Sequence, residues 1–189
     1  MGIALITKAE YKAYIGISST NDDVIIDILI PKISDLIKSL CRRTFVDYVD
    51  DAVTEYFDGG SLFFAPKEYP VITISSLETS IDYGATYVTL VEYTDYVLNK
   101  SDDLVYYIGK EFPKLINGYK ITYTAGFSTI PNELKLAALD LVSYYIKHDT
   151  AIHSNKAPGT NSVQIEYVTT TNLPAHIKRV LDLYTSNYN

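Results

Sequence analysis

Hydrophobic residues recur at helical spacing near both ends of the chain. Thr7 and Glu10 have the spacing of a capping box, which predicts a short first helix ending near Gly16. A longer apolar stripe occupies residues 24–41, and similar stripes return after Pro131 and after Pro174. Because Pro31 interrupts the long stripe, we expect a kink or two abutting helices there. The two ends of the chain therefore predict about four helices.

Between Phe45 and Phe127 the apolar positions alternate as they do in strands. The stretches 53–57 and 62–64, joined by Asp58-Gly59-Gly60-Ser61, predict a hairpin. Further strands are predicted at Val71–Ser75, Thr86–Tyr93, Tyr96–Leu98, Leu104–Ile108 and Tyr119–Ala125. Short strands separated by Gly, Asp and Asn are typical of antiparallel sheets.

The order of these elements predicts an α+β fold. We expect one domain over residues 1–189, in which 1–44 and 128–189 form the small bundle of about four helices and 45–127 form an inserted antiparallel β region. A chain of 189 residues buries enough surface to fold without metal or disulfide. Cys41 is the one cysteine, so no intrachain disulfide forms and a reducing compartment is expected. Since Cys41 falls on the apolar stripe, we expect it to be buried.

Charge and composition narrow the classes of partner. The net charge is −7, whereas proteins that grip DNA phosphates are usually basic. No apolar run is long enough to span a bilayer and no signal peptide is recognisable, so no membrane partner is expected. The 18 tyrosines suit half-buried sheets and interfaces, although AT-rich codon usage would explain the same excess.

Motifs that carry chemistry are absent from the sequence. There is no phosphate-binding glycine loop, no nucleophile elbow and no zinc-protease helix. His148 and His153 could form half of a zinc site, but no cysteine pair supplies the other half. We therefore predict no catalytic, cofactor-binding or metal-binding residues, and a protein that is not an enzyme. Two basic pairs, Arg42-Arg43 and Lys178-Arg179, fit solvated helix charges or ion pairs at an interface.

The ordered set of segments resembles the head–tail connector (adaptor) family of tailed bacteriophages. The most specific segment is Ile121–Phe127 followed by Ile130-Pro131 and a helical stripe. The other matching segments are Leu5–Gly16, Cys41–Phe45, Thr54–Gly59, Tyr69–Ile74, Asn161–Tyr167 and Leu173-Pro174. Together they cover nearly the whole chain in order.

The resemblance implies a virion protein of the neck, made in the host cytoplasm and working by assembly. It implies a homo-oligomeric, dodecameric ring beneath the portal protein that extends the channel for genomic DNA, without sequence-specific binding, and receives the next neck or tail protein. The polar stretch 149–171 contains an alternating segment that could pair with a neighbouring chain. The predicted subunit or portal interface therefore comprises Ser162, Val163, Gln164, Ile165, Tyr167, Lys178 and Arg179.

Two other functions fit the sequence less fully. A tail-completion protein or another neck component would share the virion location but bind on the tail side. A tyrosine-rich module that binds a glycan or peptide would act as a monomer and would not form rings.

Overall fold

The computed structural model describes residues 2–109, 111–151 and 173–185, and the side chains of 148–151 are outside that description. The described residues form four helices and seven strands, which confirms the α+β class. They fall into two compact units. We call residues 2–42 and 130–185 the helical unit and residues 43–129 the β unit.

The helical unit contains α1 (Lys8–Ile15), α2 (Asp23–Cys41), α3 (Asn132–Ala151) and α4 (Ala175–Tyr184). The capping box of Thr7 and Glu10 is present at the start of α1, and Gly16 ends it in the left-handed region. α2 runs through Pro31 as one helix, so the alternative of two abutting helices is wrong. A proline removes only one backbone donor, and the buried apolar face of α2 continues on both sides of it.

The core of the helical unit is mainly aliphatic. α2 contacts each of the other three helices, and α3 also packs on α4. Ala137 and Ala138 are buried on α3, where small side chains allow the neighbouring helices to approach closely. Cys41 is fully buried, as predicted, and its Sγ donates to the Leu181 carbonyl over 3.6 Å.

The β unit consists of two antiparallel sheets. The first has the strand order β1 (Val53–Phe57), β7 (Tyr119–Ala125), β3 (Val71–Thr79) and β4 (Val88–Leu90). The second has the order β2 (Phe63–Phe64), β6 (Leu104–Tyr107) and β5 (Tyr96–Asn99). A largely aromatic core lies against both sheets, and Phe112 at its centre contacts the rings of Phe57, Phe64, Tyr107 and Tyr119.

The predicted hairpin between β1 and β2 is wrong. β1 pairs with β7, whereas β2 pairs with β6 in the other sheet. The glycines between them bond to a distant segment: Gly59 N donates to the Leu115 carbonyl and Gly60 N to the Phe112 carbonyl. A Cβ on Gly59 would lie 1.8 Å from the Pro113 oxygen, so this glycine serves a close backbone approach and not a tight turn.

Candidate interaction surfaces

Acidic charge is concentrated in one unit of the molecule. Residues 43–129 contain 13 acidic and 6 basic residues, which gives −7, whereas the rest of the chain contains 10 of each. The β unit therefore accounts for the whole net charge of the protein.

Many of the acids in the β unit accept hydrogen bonds from the backbone. Asp58 accepts from Asn117 N at 2.7 Å, and Asp103 accepts from Val71 N at 2.8 Å. The same role is taken by Glu55, Glu68, Asp82, Asp95 and Asp102. These carboxylates stabilise loops, and because the acids of the unit outnumber its bases by seven they leave a negative field around it.

The loop between β3 and β4 holds two apolar side chains out in water. Asp82 fixes this loop by accepting from Ser80 Oγ at 2.6 Å, Thr86 N at 2.8 Å and Thr86 Oγ1 at 2.7 Å. These bonds, the one from Ser80 first, lower the pKa of Asp82 to about 2. Ile81 is 84% exposed and Tyr83 is 77% exposed, so an ordered loop presents an apolar tip.

The two sheets differ in their outer faces. On the four-stranded sheet the face away from the core is polar: Thr54 and Thr122 lie with hydroxyls 3.0 Å apart, and Lys120 pairs with Glu78. On the three-stranded sheet that face is apolar, because β6 carries apolar or aromatic side chains at every position. Its apolar members are Phe63, Val97, Leu104, Tyr106 and Ile108, and the polar Asn99 lies opposite Leu104 at one end.

The apolar outer face was missed by the sequence reasoning. The predicted hairpin places Phe63 beside β1, whereas in the structure Phe63 pairs with Tyr106 and the two ring centroids are 5.5 Å apart. The sequence feature that indicates this face is the unbroken apolar run 104–108. A strand with one solvent-exposed face alternates apolar and polar residues, whereas this run has apolar or aromatic side chains on both faces.

Basic side chains of α4 are exposed in the helical unit. Ile177 and Leu181 are buried, whereas Lys178 and Arg179 lie on the exposed side, as does Leu183 at 75%. The structure thus places two predicted interface residues where a partner can reach them. The other predicted residues, Ser162, Val163, Gln164, Ile165 and Tyr167, lie outside the described part of the chain.

A buried charged cluster lies at the start of the β unit. The Arg43 guanidinium stacks over the Tyr69 ring at 3.4 Å from its centroid and donates to the Tyr69 carbonyl. The Glu68 carboxylate accepts from Thr44 N at 2.9 Å, and burial raises its pKa. Arg43, Thr44 and Glu68 thus join backbone segments distant in sequence, which is a structural role.

The described residues contain neither a cluster of metal-binding side chains nor a membrane-spanning helix. Within them no three His, Cys, Asp or Glu side chains lie together as a metal site would require. None of the described helices is long and apolar enough to cross a bilayer. His176 is exposed and lies 3.6 Å from Asp140, a surface contact.

The described residues form a two-unit α+β protein that exposes an apolar loop tip, a mainly apolar sheet face and the basic side of α4. The chain belongs to the head completion protein family, whose model matches residues 4–186. It is therefore a structural protein of the head–tail neck, and the predicted resemblance is confirmed.

Solved structures show the same fold at low sequence identity. The chain is similar to a protein in the neck of an empty gene transfer agent particle computed with C6 symmetry: TM-score 0.58, 13% identity, covering 96% of this chain and 90% of the other. A protein in the virion of the native gene transfer agent gives a TM-score of 0.61 at 14% identity, covering 96% of this chain and 90% of the other. A protein in the neck of the native particle computed with C12 symmetry gives a TM-score of 0.54 at 15% identity, covering 98% of this chain and 96% of the other. No curated protein sequence matches the chain significantly.

Proposed function

We propose that this protein is an adaptor subunit that assembles into a homo-oligomeric ring at the head–tail interface. The observation that carries this proposal is the family match over residues 4–186. The similar structures come from neck particles described with sixfold and twelvefold symmetry, which favours a dodecameric ring for this chain as well. In this proposal residues 1–189 act as one connector domain, without catalysis.

The ring docks beneath the portal protein, extends the DNA channel and presents a surface to the next neck or tail protein. The charge of the β unit supports the proposed channel. A surface with 13 acidic and 6 basic residues repels phosphates, so DNA passes without being gripped and without sequence-specific contacts.

The interface in this proposal includes the segment Ser162–Tyr167 together with Lys178 and Arg179. An alternating segment can add a strand to the free edge of a sheet. Such edges exist in the β unit, where β1 and β4 are the outer strands of one sheet and β2 and β5 of the other. The segment of one subunit would pair with an edge strand of its neighbour or of the portal.

The test measures mass and shape with and without the cognate portal, by light scattering and negative-stain microscopy. We expect a ring, or a monomer that becomes a ring on the portal. A monomer that ignores the portal would overturn the proposal. If it bound a tail component instead, a tail-completion role would replace the adaptor role.

Two matched replacements test the interface segment. Ser162–Tyr167 is replaced by a Gly/Ser linker of equal length, and the control replaces Asn155–Thr160 in the same way. We expect the first variant to lose ring or portal binding with unchanged circular dichroism, and the control to retain it. Equal assembly by both variants would exclude the segment.

A further inference from the structure

The three-stranded sheet is apolar on both faces. One face, formed by Phe64, Tyr96, Leu98, Val105 and Tyr107, packs into the core of the β unit. The opposite face carries Phe63, Val97, Leu104, Tyr106 and Ile108, with the polar Asn99 opposite Leu104 at one end. Phe63 is 40% and Ile108 44% exposed, and the other side chains of this face are half-buried. Apolar side chains exposed together on one face are unfavourable in water and are typical of a contact surface.

Acidic groups border this outer face. Asp95 lies at one end, where its carbonyl accepts from Ile108 N at 2.8 Å, and Asp102 lies at the other, where its carboxylate accepts from the Tyr106 hydroxyl at 3.3 Å. Residues 91–109 contain four acids and one lysine, Lys100. If the same face of a second copy bound here, the acids of the two faces would repel each other, and these acids would also repel a nucleic acid. The partner surface that fits therefore has apolar side chains at its centre and basic side chains around them.

The exposed side of α4 has that character. Lys178 and Arg179 are both exposed there, and Arg179 is one helical turn from the exposed Leu183, so a cation and an apolar side chain are neighbours. Asp182 is the only acid of α4. A closed ring of more than two subunits also needs two different, complementary surfaces on each chain.

We infer that the exposed side of α4 in one subunit packs on the outer face of the three-stranded sheet in the next subunit. Leu183 meets the apolar centre around Val97, Phe63 and Ile108, while Lys178 and Arg179 approach the acids Asp95 and Asp102. This contact rests on the proposed ring, since it joins neighbouring copies of the chain.

Charge substitutions that spare the turn-forming acids test the contact. Ile108→Lys places a cation on the sheet face, and Lys178→Glu with Arg179→Glu reverses α4. Each variant is expected to weaken assembly of the full chain, on its own or on the cognate portal, by at least about tenfold. The control Ile116→Lys alters a more exposed apolar residue of the same unit that lies on none of the candidate surfaces, and it should assemble normally.

Rescue separates this contact from a loss of folding. The triple variant combines Ile108→Lys, Lys178→Glu and Arg179→Glu in one chain, and an equimolar mixture combines the two defective proteins. In both cases the new lysine of one subunit meets the new glutamates of the next, so the assembled fraction should return to within about threefold of wild type. Mass photometry gives the assembled fraction, and thermal melts followed by circular dichroism give the folded state.

Normal assembly of Ile108→Lys, or no rescue by either combination, would overturn the contact while leaving the ring intact. If the wild-type chain forms no ring even on the portal, the proposed function fails first. The two failures are therefore distinguishable.

Discussion

The two units use their charges in opposite ways. In the helical unit acids and bases are equal in number and pair with one another, as in Lys8–Asp27 at 2.8 Å and Lys12–Asp23 at 2.7 Å. In the β unit the acids outnumber the bases by seven, and many of them bond to backbone amides. In the helical unit, ion pairs join neighbouring helices and leave no net charge. In the β unit, carboxylates stabilise loops through the backbone and leave a net negative charge.

The difference extends to the backbone. The helical unit ends α1 at Gly16, where an added Cβ would meet nothing within 4 Å. In the β unit Gly126 has φ +117°, and an added Cβ would lie 2.4 Å from the Phe45 oxygen. Close backbone contacts, held by bonds such as Phe127 N to the Phe45 carbonyl at 2.7 Å, therefore define the β unit more than the helical unit.

The largest expected effect is that of Gly126→Ala. The substitution combines an unfavourable φ with a clash against backbone that is itself hydrogen-bonded, so it cannot relax cheaply. Gly109→Ala is the control, because φ is +129° there but nothing lies within 4 Å. In urea unfolding we expect the control to lower the free energy of unfolding by about 1–2 kcal/mol, and Gly126→Ala to lower it by at least about 2 kcal/mol more than the control does. Equal losses would mean that the close backbone contact at Gly126 adds nothing to the cost of a positive φ.

The sequence predicted the elements whose signals are local. The capping box gave α1, and the strict alternation of Tyr119–Ala125 gave β7 with its bounds. The partner of β1 could not be read in this way, because it depends on Gly59 and Gly60 bonding to residues more than 50 positions away. The sequence predicts Lys178 and Arg179 as candidate interface residues, but the apolar outer face of the three-stranded sheet cannot be predicted without knowing that Phe63 lies beside Tyr106.

Acid conditions should reveal the loop role of the β-unit carboxylates. The folded pKa of Asp82 is about 2, below the ordinary value of 3.8, so its contribution to stability is fully present above pH 3.8 and is lost as the pH falls towards 2. The stability difference between wild type and Asp82→Asn should therefore shrink over that range and stay constant above it. Carboxyl NMR gives the pKa directly.

The exposed Asp51, which lies outside this loop, provides the control Asp51→Asn. A loop held by Asp82 should also lose the ordered signals of Thr86 and Gly84 in the Asp82→Asn protein but keep them in the control. A titration of Asp82 near 3.8 would contradict the hydrogen bonds assigned to it.

The smallest expected effect is that of an ion pair in the helical unit. Lys135 Nζ lies 2.6 Å from Glu10 Oε1, and this bond is the main reason that the pKa of Glu10 is lowered. Glu10 also accepts from Thr7 N, so Glu10→Gln alone would disturb the capping box and overstate the pair. A double-mutant cycle with Lys135→Met removes that contribution and should give a coupling of about 0.5 kcal/mol.

In about 1 M NaCl the coupling between Glu10 and Lys135 should fall towards zero, since exposed pairs are screened. The Asp82 contribution should change less, because its partners are neutral hydroxyl and amide groups. If both responded equally to salt, the contrast between paired charge in one unit and amide-bound charge in the other would be lost.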